Sequence, residues 1–191
     1  MTENAEDSFM SFENLPDIVD GQICPFVSST KSTIDSCLNL LNITPTDSII
    51  DLGCGDGRII LTAIEKYNIE GVGIDINPSL IKDCEKSAKE KNLDLSKYIF
   101  KVDDFTREDF DFYNCTCICF YLIPRVLKLF KEKLFRYLRE DHKRRCVALR
   151  YPFRNIIPTK VDEVMKIYYY DYRSQEGEYG LKELDSFNPA F

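Results

Sequence analysis

The sequence contains no tryptophan and only one histidine, His142. A single histidine and eight cysteines without a Cys-x-x-Cys pair do not provide the ligand spacing of a zinc site, so we expect no bound metal. No stretch approaches the ~20 consecutive apolar residues of a membrane-spanning helix. An excess of basic residues is also missing, because the net charge is −7, and we therefore expect no stable nucleic-acid binding.

The length of 191 residues fits one domain, which we place at 21–191, preceded by an acidic tail at 1–20 that we expect to be disordered. The tail has neither an arginine-rich amphipathic pattern nor the apolar core of a signal peptide. This pattern favours a cytoplasmic protein, and we expect it to be a monomer.

The cysteines are predicted to be small buried apolar groups rather than metal ligands or disulfides. Cys115, Cys117 and Cys119 alternate as residues on one face of a strand do. Free buried cysteines indicate a reducing compartment.

Short apolar runs alternate with helical patterns along the chain, which predicts an α/β fold with a mostly parallel sheet and helices on both faces. One helix start is well marked, with Asn77 as the N-cap and Pro78 at the first helical position. Near the end, the runs 164–173 and 179–184 flank a five-residue link that contains glycine. This arrangement predicts a C-terminal antiparallel hairpin. The five expected strands before it read SIIDLG, GVGID, YIFKV, CTCICFYL and RRCVALRY.

The stretch IIDLGCGDGR, residues 49–58, places three glycines between a predicted strand and a predicted helix. Glycines there allow a turn whose backbone amides approach a ligand closely. Three interpretations compete: a turn without a ligand, a nicotinamide or flavin site, and an S-adenosylmethionine site. The third glycine, Gly57, comes one residue too early for the GxGxxG pattern of dinucleotide sites. Asp51, two residues before Gly53, favours S-adenosylmethionine.

Acidic residues also end the next two predicted strands. Asp75 lies 18 residues after Gly57, where a carboxylate suits the hydroxyls of a ribose. Asp104, with Asp103 as the alternative, suits an adenine amino group that Phe105 would cover. A plain helix cap is the competing interpretation of Asp104. Together the three strand ends favour a nucleoside-containing cofactor.

These motifs resemble the Rossmann-like S-adenosylmethionine-dependent methyltransferases across 22–185. The resemblance implies a seven-stranded sheet with a terminal antiparallel hairpin, and S-adenosylmethionine as the cofactor. DLGCGDGRII, YLIP, RYPF and CPFVSSTKSTIDSCLNLL further resemble the protein-lysine methyltransferases of the ATP synthase c subunit and the adenine nucleotide translocase, with their bacterial relatives. That branch implies a protein substrate presenting a lysine and, by resemblance alone, a mitochondrial location. The alternatives are a methyltransferase acting on RNA or a small molecule, and a non-catalytic S-adenosylmethionine-binding module.

The resemblance also suggests roles for individual residues. The expected cofactor-binding residues surround the glycines, hold the ribose and adenine, or cover the cofactor: Asp51, Gly53, Gly55, Asp56, Gly57, Asp75, Asp104, Phe105, Pro25, Phe26 and Ser28. The expected catalytic residues follow the fourth strand, nearest the transferred methyl: Phe120, Tyr121 and Pro124. Tyr151 and Phe153 are candidates for lining the acceptor slot, with ordinary packing as the alternative.

Overall fold

The computed structural model describes residues 28–179, which contain four α-helices and nine strands. None of these helices is long and apolar enough to cross a membrane. In chain order the elements are α1 (Lys31–Leu41), β1 (Ser48–Leu52), α2 (Arg58–Tyr67), β2 (Glu70–Asp75), α3 (Pro78–Glu90), β3 (Tyr98–Val102), β4 (Cys117–Phe120), α4 (Pro124–Glu140), β5 (Arg145–Leu149), β6 (Ile156–Ile157), β7 (Lys160–Asp162), β8 (Ile167–Asp171) and β9 (Gln175–Glu176).

Seven strands form one mixed sheet in the order β3-β2-β1-β4-β5-β8-β7. The strands from β3 to β5 in this order are parallel, and β8 is antiparallel to both β5 and β7. Strands β6 and β9 form a separate antiparallel pair. The predicted α/β fold, with a mostly parallel seven-stranded sheet, is confirmed.

The marked start of α3 is also confirmed. The side chain of Asn77 accepts a hydrogen bond from the backbone N–H of Ser79 at 2.9 Å, and Pro78 is the first helical residue. Thr30 caps α1 in the same way, accepting from the N–H of Thr33 at 3.2 Å. In both helices a polar side chain satisfies an N–H that has no partner within the helix.

A C-terminal antiparallel hairpin is present and is formed by β7 and β8, whereas the sequence indicated that the run 164–173 pairs with the run 179–184. Strand β8 pairs on one edge with β5 and on the other with β7, which precedes it. Both edges of β8 are therefore occupied by described strands, and of the run 179–184 only residue 179 lies within the described part of the chain. The expected five-residue link instead contains β9, which pairs with β6.

The two faces of the sheet carry separate hydrophobic clusters. Alternate residues of β1 divide between them, with Ile50 and Leu52 on the face covered by α4 and Ile49 on the face covered by α1, α2 and α3. Helices therefore cover both faces, as predicted. The seven cysteines within the described residues are all free and buried: Cys37, Cys54, Cys84, Cys115, Cys117, Cys119 and Cys146.

Candidate active site

The candidate site lies where the carboxyl ends of β1, β2 and β4 meet. Strand β1 has β2 on one side and β4 on the other, so the chain order reverses at this point of the sheet. Open α/β sheets bind ligands in the crevice at such a point. The topology brings Asp51 of β1, Asp75 of β2 and Tyr121, which follows β4, to the same edge.

The glycine turn leaves β1 and becomes the start of α2. Its entry is fixed by the carbonyl of Ile74, which accepts from the N–H groups of Gly53 and Cys54 at 2.8 and 2.9 Å. Gly57 is the residue before α2, with a φ of 76° that disfavours any side chain. A Cβ atom on Gly57 would also lie 2.9 Å from the sulfur of Cys84. Gly53 and Gly55 also have positive φ, at 78° and 55°, so all three predicted positions require glycine-like backbone.

Asp75 is held in a defined orientation at the end of β2, with 9% of the residue exposed. One carboxylate oxygen accepts from the N–H of Gly55 and the other from the N–H of Asn77, both at 2.9 Å. A carboxylate has about four lone-pair sites, so these two bonds leave acceptor capacity for hydroxyl groups of a ligand. The geometry therefore suits the predicted contact with a ribose.

Asp51 is the most deeply buried carboxylate at this edge, with 2% of the residue exposed. Burial, together with the negative charges of Asp75 and Asp56, raises its pKa to about 7, although a hydrogen bond with Cys119 acts against the shift. Among residues 28–179, the charged groups that shift the pKa of Asp51 are carboxylates. A cationic group of a ligand bound beside Asp51 would complement this negative charge.

Asp56 differs from Asp51 because it forms an ion pair with Arg58. Burial acts to raise the pKa of Asp56, but the hydrogen bonds and charge of Arg58 outweigh it and the pKa is lowered. The Nε atom of Arg58 donates to the two Asp56 oxygens at 2.8 and 3.0 Å, and Nη2 forms a further bond to the same carboxylate. Nη1 donates to the carbonyl of Ser29 at 2.8 Å. Arg58 therefore joins the glycine turn to the segment before α1.

The two aspartates that follow β3, Asp103 and Asp104, have different hydrogen-bond and ion-pair partners. Asp103 forms ion pairs with Lys101 at 2.9 Å and Arg107 at 3.3 Å. Asp104 accepts from the N–H and hydroxyl of Thr106 at 2.9 and 2.6 Å, through a single oxygen. Asp104 thus fixes a local turn and does not cap a helix, because the described residues between β3 and β4 contain no helix, and its role toward adenine stays a prediction.

The aromatic residues predicted for the site are mostly packed in the core. Phe105 is 8% exposed and meets the ring of Phe130 edge-on at 5.3 Å. Phe120 is 0% exposed, with ring distances of 5.4 Å to Phe130 and 5.6 Å to Phe153. Phe153 is 1% exposed within the same cluster, which matches the packing alternative. Roles for Phe105 and Phe120 toward the ligand stay predictions.

The remaining predicted residues fall at the rim or outside the described chain. Tyr121 and Tyr151 are half-buried, and Pro124 begins α4. Ser28 is exposed, whereas Pro25 and Phe26 lie outside the described residues.

Arg58 and Lys133, which were not among the predicted site residues, donate to backbone carbonyls of the site's loops. Arg58 donates to the carbonyl of Ser29, and Lys133 of α4, which is buried, donates to backbone carbonyls after β3. The sequence carried a signal for Lys133, because it lies three residues after Phe130, on the apolar stripe of α4. A lysine on an apolar stripe needs a specific partner.

The chain matches the family model of the ANTKMT methyltransferase domain over residues 51–160, which is more than half of its length. It is 28% identical to a protein-lysine N-methyltransferase of Saccharolobus islandicus over 73% of this chain and 84% of that protein. It is 30% identical to the lysine N-methyltransferase of the ATP synthase c subunit from Homo sapiens over 73% of this chain, which spans 58% of the human protein.

A solved structure with a similar fold contains a bound nucleoside ligand. An RNA methyltransferase of Salinibacter ruber, in complex with S-adenosyl-L-homocysteine, is 29% identical, with a TM-score of 0.65, over 75% of this chain and 91% of that one. The glycine turn and the buried carboxylates described above fit a cationic nucleoside cofactor. The chain belongs to the ANTKMT methyltransferase domain family and is an S-adenosylmethionine-dependent methyltransferase.

Proposed function

We propose that this enzyme methylates the side-chain amine of a lysine in a protein substrate. The observation that carries the proposal is the likeness to the Saccharolobus islandicus protein-lysine N-methyltransferase, because it extends over 84% of that protein. The likeness to the human lysine N-methyltransferase of the ATP synthase c subunit supports the same substrate class. The net charge of −7 also suits a cationic substrate better than a polyanion.

Within this proposal the cofactor is held by the glycine turn and the aspartates around it. Asp75, already oriented by two backbone N–H groups, would accept from the ribose hydroxyls. Asp51 and Asp56 would orient the polar groups of the methionine part, and Asp104 with Phe105 would hold the adenine. The carboxylates of the turn also complement the positive charge of the ligand.

When bound, S-adenosylmethionine would supply a methyl group that is electrophilic because it is attached to a positively charged sulfur, and S-adenosylhomocysteine would be the leaving group. The protein then has to align the two reactants and exclude water. The acceptor lysine must be neutral, whereas its ordinary pKa is about 10.4. We propose that the edge formed by Phe120, Tyr121 and Pro124 provides an apolar slot, because burial lowers the pKa of an amine.

Labelling tests the acceptor directly. The enzyme is incubated with cell lysate and a donor carrying a radioactive methyl group, and the product is divided between protease and nuclease. We expect protease to release the label and nuclease to leave it, and mass spectrometry to place it on lysine. An Asp75→Ala enzyme serves as the control and should give little label. Label on a residue other than lysine would contradict the proposal.

RNA is the second candidate acceptor, because the Salinibacter ruber relative is described as an RNA methyltransferase and is 29% identical. The same labelling experiment separates the two, since RNA methylation predicts label that nuclease removes and protease does not. The acidic charge of this chain speaks against a groove for phosphates.

We further infer that the enzyme acts in the cytoplasm. Seven free, buried cysteines support a reducing environment. Fractionation of cells that produce the natural protein, followed by immunodetection, would test the location.

A further inference from the structure

Lys133 is a charged side chain inside the core, in the middle of α4. The residue is 9% exposed. Its Nζ donates to the backbone carbonyl of Phe105 at 2.9 Å and also to the carbonyl of Arg107. The ring of Phe110 lies 5.4 Å away and encloses the ammonium further. Lys133 therefore attaches one helix to two consecutive turns of a distant loop.

The charge of Lys133 is held there at a cost. Burial lowers its pKa, while the negative charges of Glu108, Asp104 and Asp109 act in the opposite direction. A methionine or leucine would fill the same space without that cost. The contacts of the ammonium thus serve something other than filling the core.

The loop that Lys133 holds directly follows β3 and contains the predicted adenine contacts. Asp104 fixes the first turn by accepting from the N–H and hydroxyl of Thr106 at 2.9 and 2.6 Å. Phe105 packs edge-on against Phe130 at 5.3 Å, and Phe130 lies one helical turn before Lys133. Phe130 and Lys133, which lie one helical turn apart on α4, therefore both contact this loop.

We propose that Lys133 is a positioning residue for the cofactor, which holds the carbonyls of Phe105 and Arg107 so that Asp104 and Phe105 face the adenine. The inference rests on the proposed adenine contacts and not on the identity of the methyl acceptor. Without the ammonium, the buried carbonyl of Phe105 loses this donor and the carbonyl of Arg107 keeps only the N–H of Phe110, so the loop has to shift toward water to satisfy the Phe105 carbonyl.

Calorimetry with S-adenosylhomocysteine tests the proposal, since binding of this product needs no acceptor. We expect Lys133→Met to raise the dissociation constant about tenfold in protein that circular dichroism shows to be folded. Lys133→Arg keeps charge and donors and should recover most of the affinity. Lys128→Met removes an exposed lysine from the same helix and should bind like the wild type.

Two further measurements separate positioning from general stability. The ligand 5′-methylthioadenosine keeps the adenine and ribose but lacks the amino acid part, so we expect Lys133→Met to weaken it by the same factor. Asp104→Ala combined with Lys133→Met should lose less affinity than the sum of the single changes, because both act through one loop.

An affinity for S-adenosylhomocysteine within twofold of wild type, together with a lower melting temperature, would overturn the proposal and leave Lys133 a stabilising residue only. Unequal losses for the two ligands would overturn it as well. If Lys133→Met does not fold, Lys133→Leu provides the same comparison, because it also removes the donor to the loop carbonyls. Failure of the wild type to bind S-adenosylhomocysteine would instead contradict the cofactor site itself.

Discussion

Two aspartates at opposite ends of β1 show how differently this fold treats a buried carboxylate. Asp47, just before the strand, has a side chain 7% exposed and receives both Nη groups of Arg145 at 2.9 and 2.8 Å. Thr116 and Thr44 donate to the same carboxylate. Burial acts to raise the pKa of Asp47, but these bonds outweigh it and hold the pKa well below its usual range.

Asp51, near the other end of the strand, is buried more deeply, with 2% of the residue exposed, and the charged groups that shift its pKa are carboxylates. Its pKa is raised to about 7 by burial and by the neighbouring carboxylates. At the amino edge of the sheet, Arg145 neutralises the charge of Asp47, and the two residues form a buried ion pair that joins distant parts of the chain. At the carboxyl edge, the charges that the described residues place around Asp51 are negative, and a carboxylate whose pKa is perturbed in this way is typical of ligand sites.

The largest expected effect is on stability, at the amino edge. Asp47→Ala leaves the buried guanidinium of Arg145 without its carboxylate, and removal of one partner from a buried ion pair costs about 3–5 kcal/mol. We expect the free energy of unfolding in urea to fall by that amount. The dissociation constant for S-adenosylhomocysteine should not change, because Asp47 lies away from the candidate site.

Lys66→Ala is the matched control for this change. The Lys66–Asp35 pair is exposed, so breaking it should lower the free energy of unfolding much less than Asp47→Ala does. A weakened affinity in Asp47→Ala at unchanged stability would show that the two edges are not independent.

The next largest effect is expected on ligand binding at the carboxyl edge. Asp75→Ala removes a charged acceptor from two ribose hydroxyls, which corresponds to about a hundredfold weaker binding at roughly 1.5 kcal/mol per bond. Calorimetry with S-adenosylmethionine and S-adenosylhomocysteine measures it. NAD serves as the specificity control and should not bind. An unchanged affinity in Asp75→Ala would contradict the ribose contact.

Much of this comparison was visible in the sequence, because it depends on local signals. The strand ends at Asp51 and Asp75, the positive-φ glycines, and the cap at Asn77 are all written within a few residues. The family resemblance, based on the same short motifs, is confirmed by the match over 51–160.

What the sequence could not provide depends on contacts between distant residues. The partner of β8 is the three-residue strand β7, which has no alternating apolar pattern to mark it. The sequence placed Phe105 and Phe120 near strand ends but could not show that both rings pack against Phe130 of α4, because that contact joins distant parts of the chain. Arg58 reaches Ser29 and Lys133 reaches Phe105 across nearly thirty residues of chain.

The third prediction uses pH to test the raised pKa of Asp51. The pKa of Asp51 rises from 3.8 to about 7 on folding, so between about pH 4 and 7 the folded state keeps a proton that the unfolded state has released. The contribution of this group to stability therefore decreases as pH rises through that window. Affinity for the cationic cofactor should change in the opposite direction, about tenfold tighter at pH 7.5 than at pH 6, because only ionised Asp51 attracts it.

Asp51→Asn is the control, since an amide does not titrate in this range. Comparing the two proteins by calorimetry at both pH values cancels any titration of the ligand. We expect the variant to bind more weakly and to lose most of the pH dependence. The same dependence in both proteins would mean that Asp51 does not titrate against the ligand.

The smallest effect is expected at Asp56. Its carboxylate is paired with Arg58, as Asp47 is paired with Arg145, but the Arg58–Asp56 pair is partly exposed. The side chains of Arg58 and Asp56 are 38% and 33% exposed, so water screens the pair and its loss should be modest. We expect Arg58→Met to weaken S-adenosylhomocysteine binding two- to fivefold, since it frees both Asp56 and the carbonyl of Ser29. Lys66→Met, on the same helix, should have no effect on binding. A loss of affinity in Arg58→Met as large as that in Asp75→Ala would contradict this expectation. It would show that ligand binding depends on the Arg58–Asp56 ion pair.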